Sequence, residues 1–310
     1  MTIQAASVVG RTRTGAARPE RRRPGPKIAP YVFIAPNVVL FGLFVFVPLV
    51  FALYISFHEW TLIGTPEFNG IRNYRRLLRD TQFWQSLGNT LVYTGATVPL
   101  SMGLGLALAM GLNRDLWARS ILRSAYFLPV IVSNVVTAIM AAWMFNDNYG
   151  VINALLKSAG LPAVPWLSST FWAPVSLIIT TVWTRLGFCM VIYLAALQTV
   201  SPSYYEAATI DGATALQRFR HVTWPLLKPT TFLLLIINVI FSFQVFDLIY
   251  VMTNGGPGFS TTLIVQYIYR KAFIDSEMGY ASAIGLVLFL LIVAFTAAQW
   301  RLNRRSESLI

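Results

Sequence analysis

Charge is scarce in this 310-residue chain: only 12% of its residues are Asp, Glu, Lys or Arg, about half the roughly 25% of an ordinary soluble domain. That composition excludes a typical water-soluble enzyme. Cysteine is nearly absent too. The single Cys189 lies inside an apolar run, so no disulfide can form within the chain and the redox compartment is left unmarked. The two histidines, His58 and His221, are far apart and outside any cluster of Cys, His or carboxylates, which leaves no basis for a metal site. None of the four lysines, Lys27, Lys157, Lys228 and Lys271, follows a glycine. A phosphate-cradling loop needs Gly-Lys-Ser/Thr, so this chain is not itself an ATPase. No nucleophile, base and acid are spaced as a catalytic set either, and Ser168-Ser169 reads as plain loop.

What the chain has instead is apolar length. Hydrophobic residues make up 56% of it, gathered into runs at about 30–57, 87–112, 121–145, 172–198, 229–253 and 280–300. Each matches the roughly 20 residues a helix needs to cross a bilayer, which predicts an all-α membrane protein with six transmembrane helices. The first run is too long for the apolar core of a secretory signal, about 7 to 15 residues, and no small-residue cleavage pattern follows it; it reads as a retained span. Residues 1–29 carry seven basic residues among Gly, Ala and Pro and read as a disordered basic tail. Pro48, Pro99, Pro129 and Pro174 interrupt the spans, as membrane helices tolerate when neighbours satisfy the freed backbone groups. Gly103 and Gly105 have no strand before them and suit close helix packing rather than nucleotide binding.

The net charge of +12 would fit nucleic-acid binding in a nuclear protein, but the placement of the basic residues argues otherwise. Sixteen of the 24 Lys and Arg fall in the 1–29 tail, the 113–123 loop, the 199–228 loop and the 301–310 tail, and seven in the alternate loops. Cytoplasmic loops collect Lys and Arg, so both termini are expected in the cytoplasm and no nucleic-acid partner is needed. One loop dissents: Arg72, Arg75, Arg76 and Arg79 lie on the other side, beside Leu77, Leu78, Phe83 and Leu87, which predicts an amphipathic interfacial helix over Asn73–Leu87.

Residues 201–229 are too organised for a connector. Ser203 and Glu206 have capping-box spacing, and Gly212 can take the left-handed conformation that ends a helix. A helix over about 203–211 is predicted, then a glycine turn, then a second helix over about 213–223, because Pro225 disfavours helical geometry at the residue before it. A helix-turn-helix held at the cytoplasmic face suits docking into a groove on a partner.

Here the sequence resembles the integral membrane subunits of binding-protein-dependent ABC importers. Their hallmark is Glu-Ala-Ala, three residues, Gly, nine residues and Ile-x-Leu-Pro, matched by Glu206-Ala207-Ala208, Gly212 and Val222-Thr223-Trp224-Pro225, with Val for Ile and Trp for Leu. The form Glu-Ala-Ala-x-x-Asp211-Gly-Ala looks most like the carbohydrate-uptake branch that includes maltose and glycerol-phosphate permeases. Leu128-Pro129, Trp143-Met-Phe145, Gly150-Val-Ile-Asn153, Leu194-Ala-Ala-Leu-Gln198 and Thr253-x-Gly255-Gly256-Pro257 agree with that branch. The resemblance implies the type I importer permease fold, with Glu206, Ala207, Ala208, Asp211, Gly212, Val222 and Pro225 coupling the chain to an ATPase. It also implies a second, homologous permease chain, two ATP-binding subunits holding ATP and Mg, an extracytoplasmic solute-binding protein, and residence in a bacterial-type cell membrane among lipid. The permease itself is then non-catalytic.

For the substrate path, ionisable residues inside spans are functional candidates by default, and two qualify. Arg185 lies roughly 20 Å into its span and Asp247 roughly 9 Å into the next, at 1.5 Å per residue. A direct ion pair requires Arg185 to reach upward; otherwise each bonds to backbone or solvent. Asn238, Ser242, Gln244, Phe246 and Tyr250 complete the candidate path, with 238, 242 and 246 expected on one helix face. One Arg balanced by one Asp favours a neutral mono- or oligosaccharide over a phosphate, which several donors would meet; glycerol 3-phosphate and glycerophosphodiesters are the alternative cargo. A polytopic membrane enzyme would need a paired acidic cluster, and the cytoplasmic loops offer only Asp115, Glu206 and Asp211 without that spacing.

Overall fold

The computed structural model describes residues 29–114 and 117–307, with side chains from 30 to 301 in those ranges. The basic tail before residue 29, Asp115 and the last three residues lie outside the described residues. The chain divides into two units, 1–50 and 51–310. The described part of the first belongs to helix α1 (Pro30–Ser56), which contains a π-helical turn at Gly42–Phe46.

In the second unit a short hairpin, β1 (His58–Glu59) with β2 (Glu67–Phe68), precedes α2 (Arg72–Arg79). Then come α3 (Thr81–Leu112), α4 (Arg119–Ile131), α5 (Asn134–Met144), α6 (Val151–Ser158), α7 (Trp172–Gln198) and α8 (Pro202–Ile210). The long α9 (Ala215–Phe243), α10 (Asp247–Met252), α11 (Ile264–Tyr269) with a π-helical turn at Arg270–Ile274, and α12 (Met278–Glu307) complete the chain. Among the described residues five helices, α1, α3, α7, α9 and α12, are long and apolar enough to cross a membrane, and α4 with α5 makes a sixth span if the two count as one broken span.

Three expected elements differ from the sequence reading. The stretch 121–145 is not one helix, since α4 and α5 meet at a 100° bend. Pro129 lacks an amide proton, and the β-branched run Val130-Ile131-Val132 weakens helix continuation. The stretch Asn73–Leu87 is two helices split at Asp80, so Phe83 and Leu87 belong to a membrane helix that starts at Thr81. The run 229–253 is also broken: α9 ends at Phe243 and α10 begins at Asp247.

α3 and α7 run parallel and form the packing axis. A stripe of small residues along α3, Ser86, Thr90, Thr97, Ser101, Gly105 and Ala109, is buried, which lets backbones approach closely. At Gly105 a side chain would begin 2.6 Å from Cys189 Cβ and 3.0 Å from the Met190 nitrogen, whereas Gly103 faces open space. Leu106, Met190, Tyr193, Leu194, Leu227, Leu234 and Ile284 fill the core around this contact. Gly187 on the opposite side of α7 admits the Tyr126 carbonyl of α4, which a β-carbon would strike.

The ends where α3 and α12 begin are joined by Asp80. Its Oδ1 caps α3, accepting from the Gln82 and Phe83 amides at 2.9 and 3.3 Å. Its Oδ2 accepts from the hydroxyls of Tyr267 in α11 and Tyr280 in α12, both at 2.5 Å. Burial alone would raise the carboxyl's pKa, but these four donors outweigh it and hold Asp80 below its ordinary value. Beside it Arg76 forms a two-pronged ion pair with Glu277 at 2.8 and 2.9 Å, so one of the dissenting arginines is neutralised locally.

Two outcomes are expected. Gly105→Val should cost about 1–3 kcal/mol by overpacking, while Gly103→Ala should be neutral or stabilising by under about 1 kcal/mol; thermal unfolding in detergent distinguishes them. Asp80→Ala should cost about 2 kcal/mol or more through the lost cap and tyrosine hydrogen bonds. Because the folded carboxyl is depressed, its stabilisation is present above the ordinary carboxylate value near 4 and disappears as pH falls through the lower folded value. The gap between wild type and Asp80→Ala should therefore narrow in melts taken at falling pH.

Candidate functional site

Two features stand out, at different heights in the bundle. The first is the segment that leaves α7 and enters α9. Ser201, with Pro202 at the first helical position, caps α8 by accepting from the Ser203 amide. The expected Ser203–Glu206 box is therefore not the cap. A capping box does form one helix later, between Thr214 and Gln217. Gly212, at φ +72°, closes α8 in a Schellman turn: the Gly212 amide donates to Thr209 O at 3.0 Å and the Ala213 amide to Ala208 O at 2.9 Å.

The second helix does not stop before Pro225. α9 passes through Trp224 and Pro225 and on to Phe243, with a π-helical turn at Phe219–Thr223. That wider turn removes the helical bond Pro225 cannot donate and relieves its clash with the preceding turn. Tyr205 and Thr223 join their hydroxyls at 3.1 Å, and Arg218 donates to Thr209 Oγ1 at 3.1 Å, so α8 is tied to the base of α9. Glu206, Ala207, Asp211 and Gly212 are exposed, and Ala208, Val222 and Pro225 half-buried. Three residues outside the sequence motif add apolar surface: Tyr204, Ile210 and Leu216 are 56, 86 and 75% exposed. Their signal in the sequence was an apolar side chain beside each helix end in a polar segment.

The second feature is a cavity between α3, α5, α7 and α9, about 30 Å³ in volume, room for on the order of one water molecule. Arg185, Asn238 and Ser242 line it, together with Tyr93, Thr97, Ser101, Asn134, Thr181, Thr184 and Phe241. The sequence reading missed most of this polar lining, although hydroxyls spaced three and four apart at 94, 97 and 101 and at 180, 181 and 184 trace two stripes. Arg185 lies with its guanidinium 4.2 Å from the Phe241 ring centroid. Among the described residues it forms no ion pair. Tyr93 and Thr181 join hydroxyls at 2.6 Å. Ser101 Oγ is buried and has no hydrogen-bond partner among the described residues. Asn238 donates to Leu234 O at 2.8 Å and to Cys189 Sγ at 3.5 Å, and Ser242 donates to Thr94 Oγ1 at 2.9 Å, so both also bind helix to helix.

The other expected path residues are not there. Gln244 is exposed at the end of α9, and Asp247 is exposed in the first turn of α10, so neither faces Arg185 in the cavity. Phe246 does not share a helical face with Asn238 and Ser242, because the helix ends at Phe243. Phe246 stacks on Tyr250 at 5.2 Å and packs on Tyr269 at 4.9 Å, forming a separate aromatic group beyond the membrane helix. Among the described residues there is no cluster of three His, Cys, Asp or Glu that could hold a metal.

Residues 101–308 match the family model described as binding-protein-dependent transport system inner membrane component. The chain is 35% identical over 285 residues to a sulfoquinovosyl glycerol transport system permease protein of Agrobacterium fabrum, covering 91% of this chain and 92% of that one. It is also 35% identical over 275 residues to a trehalose/maltose transport system permease protein of Thermococcus litoralis, covering 88 and 93%. Among solved structures, a bacterial ABC transporter that imports the acidic polysaccharide alginate superposes with a TM-score of 0.79 at 25% identity, over 89% of this chain and 95% of that one.

Proposed function

The chain belongs to the family of binding-protein-dependent transport system inner membrane components, and from that premise we propose that it is the pore-forming subunit of an ATP-driven saccharide importer. The observation that carries this is the α8–Gly212–α9 segment: two capped helices on a rigid glycine turn, presenting Ile210 and Leu216 beside Glu206 and Asp211. Large exposed apolar side chains rimmed by charge suit a partner's groove. In this reading the groove belongs to one of two ATP-hydrolysing subunits, which hold ATP and Mg. The segment then faces the cytoplasm, as the basic excess in its loop favours, and a second permease chain completes the pore.

The opposite end faces a solute-binding protein. A neighbouring fold supports that partner: the alginate transporter is also known in complex with its alginate pentasaccharide-bound periplasmic protein, at a TM-score of 0.79 and 25% identity. The cavity around Arg185 is the transmembrane part of the path. At about 30 Å³ it is closed to a sugar, so passage requires α3, α7 and α9 to separate, driven from the segment around Glu206.

A second reading of the cargo follows from Arg185. Asp247 does not balance it, so the charge argument for a neutral sugar loses its footing. Once the helices separate, a lone guanidinium suits one carboxylate or sulfonate, by a two-pronged hydrogen bond; a phosphate would draw further cationic donors, and the cavity lining has none. An acidic saccharide is thereby favoured over glycerol 3-phosphate.

In vesicles containing the assembled importer, Glu206→Lys and Gly212→Pro should each lower uptake and binding-protein-stimulated ATP hydrolysis by tenfold or more; unchanged rates would remove the coupling role. Arg185→Met should lower uptake of sulfoquinovosyl glycerol at least tenfold relative to trehalose, without loss of thermal stability, because an unpaired charge has left the membrane interior. Equal effects on both sugars would remove the acidic-cargo reading.

A further inference from the structure

The four arginines of α2 lie three and four residues apart and so share one face of that helix. Two of them are met within the chain. Arg76 pairs with Glu277, and Arg72 lies 3.5 Å from Glu59. Arg75 and Arg79 are exposed and form no ion pair among the described residues. The carboxylate next in sequence, Asp80, does not serve them, because the Gln82 and Phe83 amides and the Tyr267 and Tyr280 hydroxyls already occupy it.

Beside these two guanidiniums the same corner is apolar. Leu78, three residues from Arg75 and adjacent to Arg79, is 67% exposed, and Trp84 at the start of α3 is 50% exposed. The indole N–H donates to Leu78 O at 3.1 Å, which seats Trp84 against the last turn of α2. Helix α3 is long and apolar enough to cross a membrane. Further along it the exposed Leu91 and Val92 continue the side that Trp84 begins, seven and eight residues on. The corner between α2 and α3 therefore stands where the membrane begins, with an indole at the level where tryptophan concentrates.

An anionic phospholipid meets both halves of this surface. Its phosphate supplies the negative charge that Arg75 and Arg79 lack and accepts forked hydrogen bonds from guanidinium, while its acyl chains follow Leu91 and Val92. An acidic protein segment would match the arginines but not the apolar stripe that runs on from Trp84 into the membrane. We propose that the corner of α2 and α3 is a binding site for an anionic phospholipid, with Arg75 and Arg79 on the phosphate and Leu78 and Trp84 against the glycerol and upper acyl chain. This goes beyond the importer reading and takes from it only the leaflet, the outer one. It also accounts for arginines in a loop where the cytoplasmic preference for Lys and Arg does not place them: two pair within the chain and two with the lipid.

Native mass spectrometry of the full chain, titrated with phosphatidylglycerol and separately with zwitterionic phosphatidylcholine, tests the site apart from transport. Wild type should bind phosphatidylglycerol roughly tenfold or more tightly than phosphatidylcholine, as two arginines at a membrane surface imply. Arg75→Gln combined with Arg79→Gln should remove that preference, whereas Arg72→Gln should keep it. If the double variant does not fold, each single substitution should lower the preference about fivefold. Equal binding of the two lipids by wild type, or an unchanged preference in the variants, would overturn the site. In nanodiscs of phosphatidylcholine alone, the double substitution should leave the affinity for the solute-binding protein unchanged. A loss there would assign the arginines to that protein and overturn the lipid site as well. The importer reading fails separately, if vesicles carrying the assembled wild-type complex take up no saccharide.

Discussion

The contact of α3 with α7 at Gly105 is the constraint on which the rest of the bundle depends. In lipid the hydrophobic effect does not draw helices together, so association relies on close packing and interhelical hydrogen bonds. Gly105 lets α3 come within van der Waals reach of the α7 backbone at Cys189 and Met190. Twelve residues earlier on α3 the spacing is set instead by Tyr93, whose hydroxyl meets Thr181 at 2.6 Å. Between the glycine contact and the tyrosine hydrogen bond the facing side chains include the small, polar Thr97, Ser101 and Thr184. The polar cavity lies in the space that results, with Thr97 and Ser101 on α3 and Thr184 and Arg185 on α7 as its walls.

Much of this was legible in the residues, because membrane spans are written in composition. The apolar run at 172–198 gave the bounds of α7 without help from any tertiary contact. The motif from Glu206 to Pro225 likewise identified a structured segment, since glycine and capping residues act locally. Breaks were the hard part. An unbroken apolar stretch such as 229–253 does not show that backbone direction changes at Gln244–Phe246, for the residues on both sides of the turn are equally apolar. The fate of Asp247 went with it: counted along one straight helix it lies inside the membrane, whereas at the start of a separate α10 it is exposed. Pro225 misled in the opposite sense. Its local penalty was real, but a single π turn absorbed it at the scale of the whole helix.

The few charges are also sorted by depth. Arg76, Lys271, Asp275 and Glu277 pair with one another near the start of α12, and Asp80 is held by four donors. Such satisfied groups lock elements together and leave nothing for a ligand. Arg185 is the reverse case: among the described residues it forms no ion pair and meets the face of Phe241 instead.

The distance between the cavity around Arg185 and the α8 segment is bridged by one element. α9 is unbroken from Ala215 to Phe243, 29 residues and therefore roughly 43 Å at 1.5 Å per residue. Its base carries the Tyr205–Thr223 link to α8, and its far third carries Asn238, Phe241 and Ser242 into the cavity wall. A continuous hydrogen-bonded helix transmits displacement with little loss, so a push on α8 must tilt or slide the cavity wall as well. The π turn at Phe219–Thr223 is the weakest point of that rod, because its hydrogen bonds are wider spaced and less regular than those of the α-helix around it. It lies immediately next to the α8 link. The cavity-lining part of α9, from Asn238 to Ser242, lies well beyond both this turn and Pro229, in a regular stretch of helix where Phe241 moves with its neighbours.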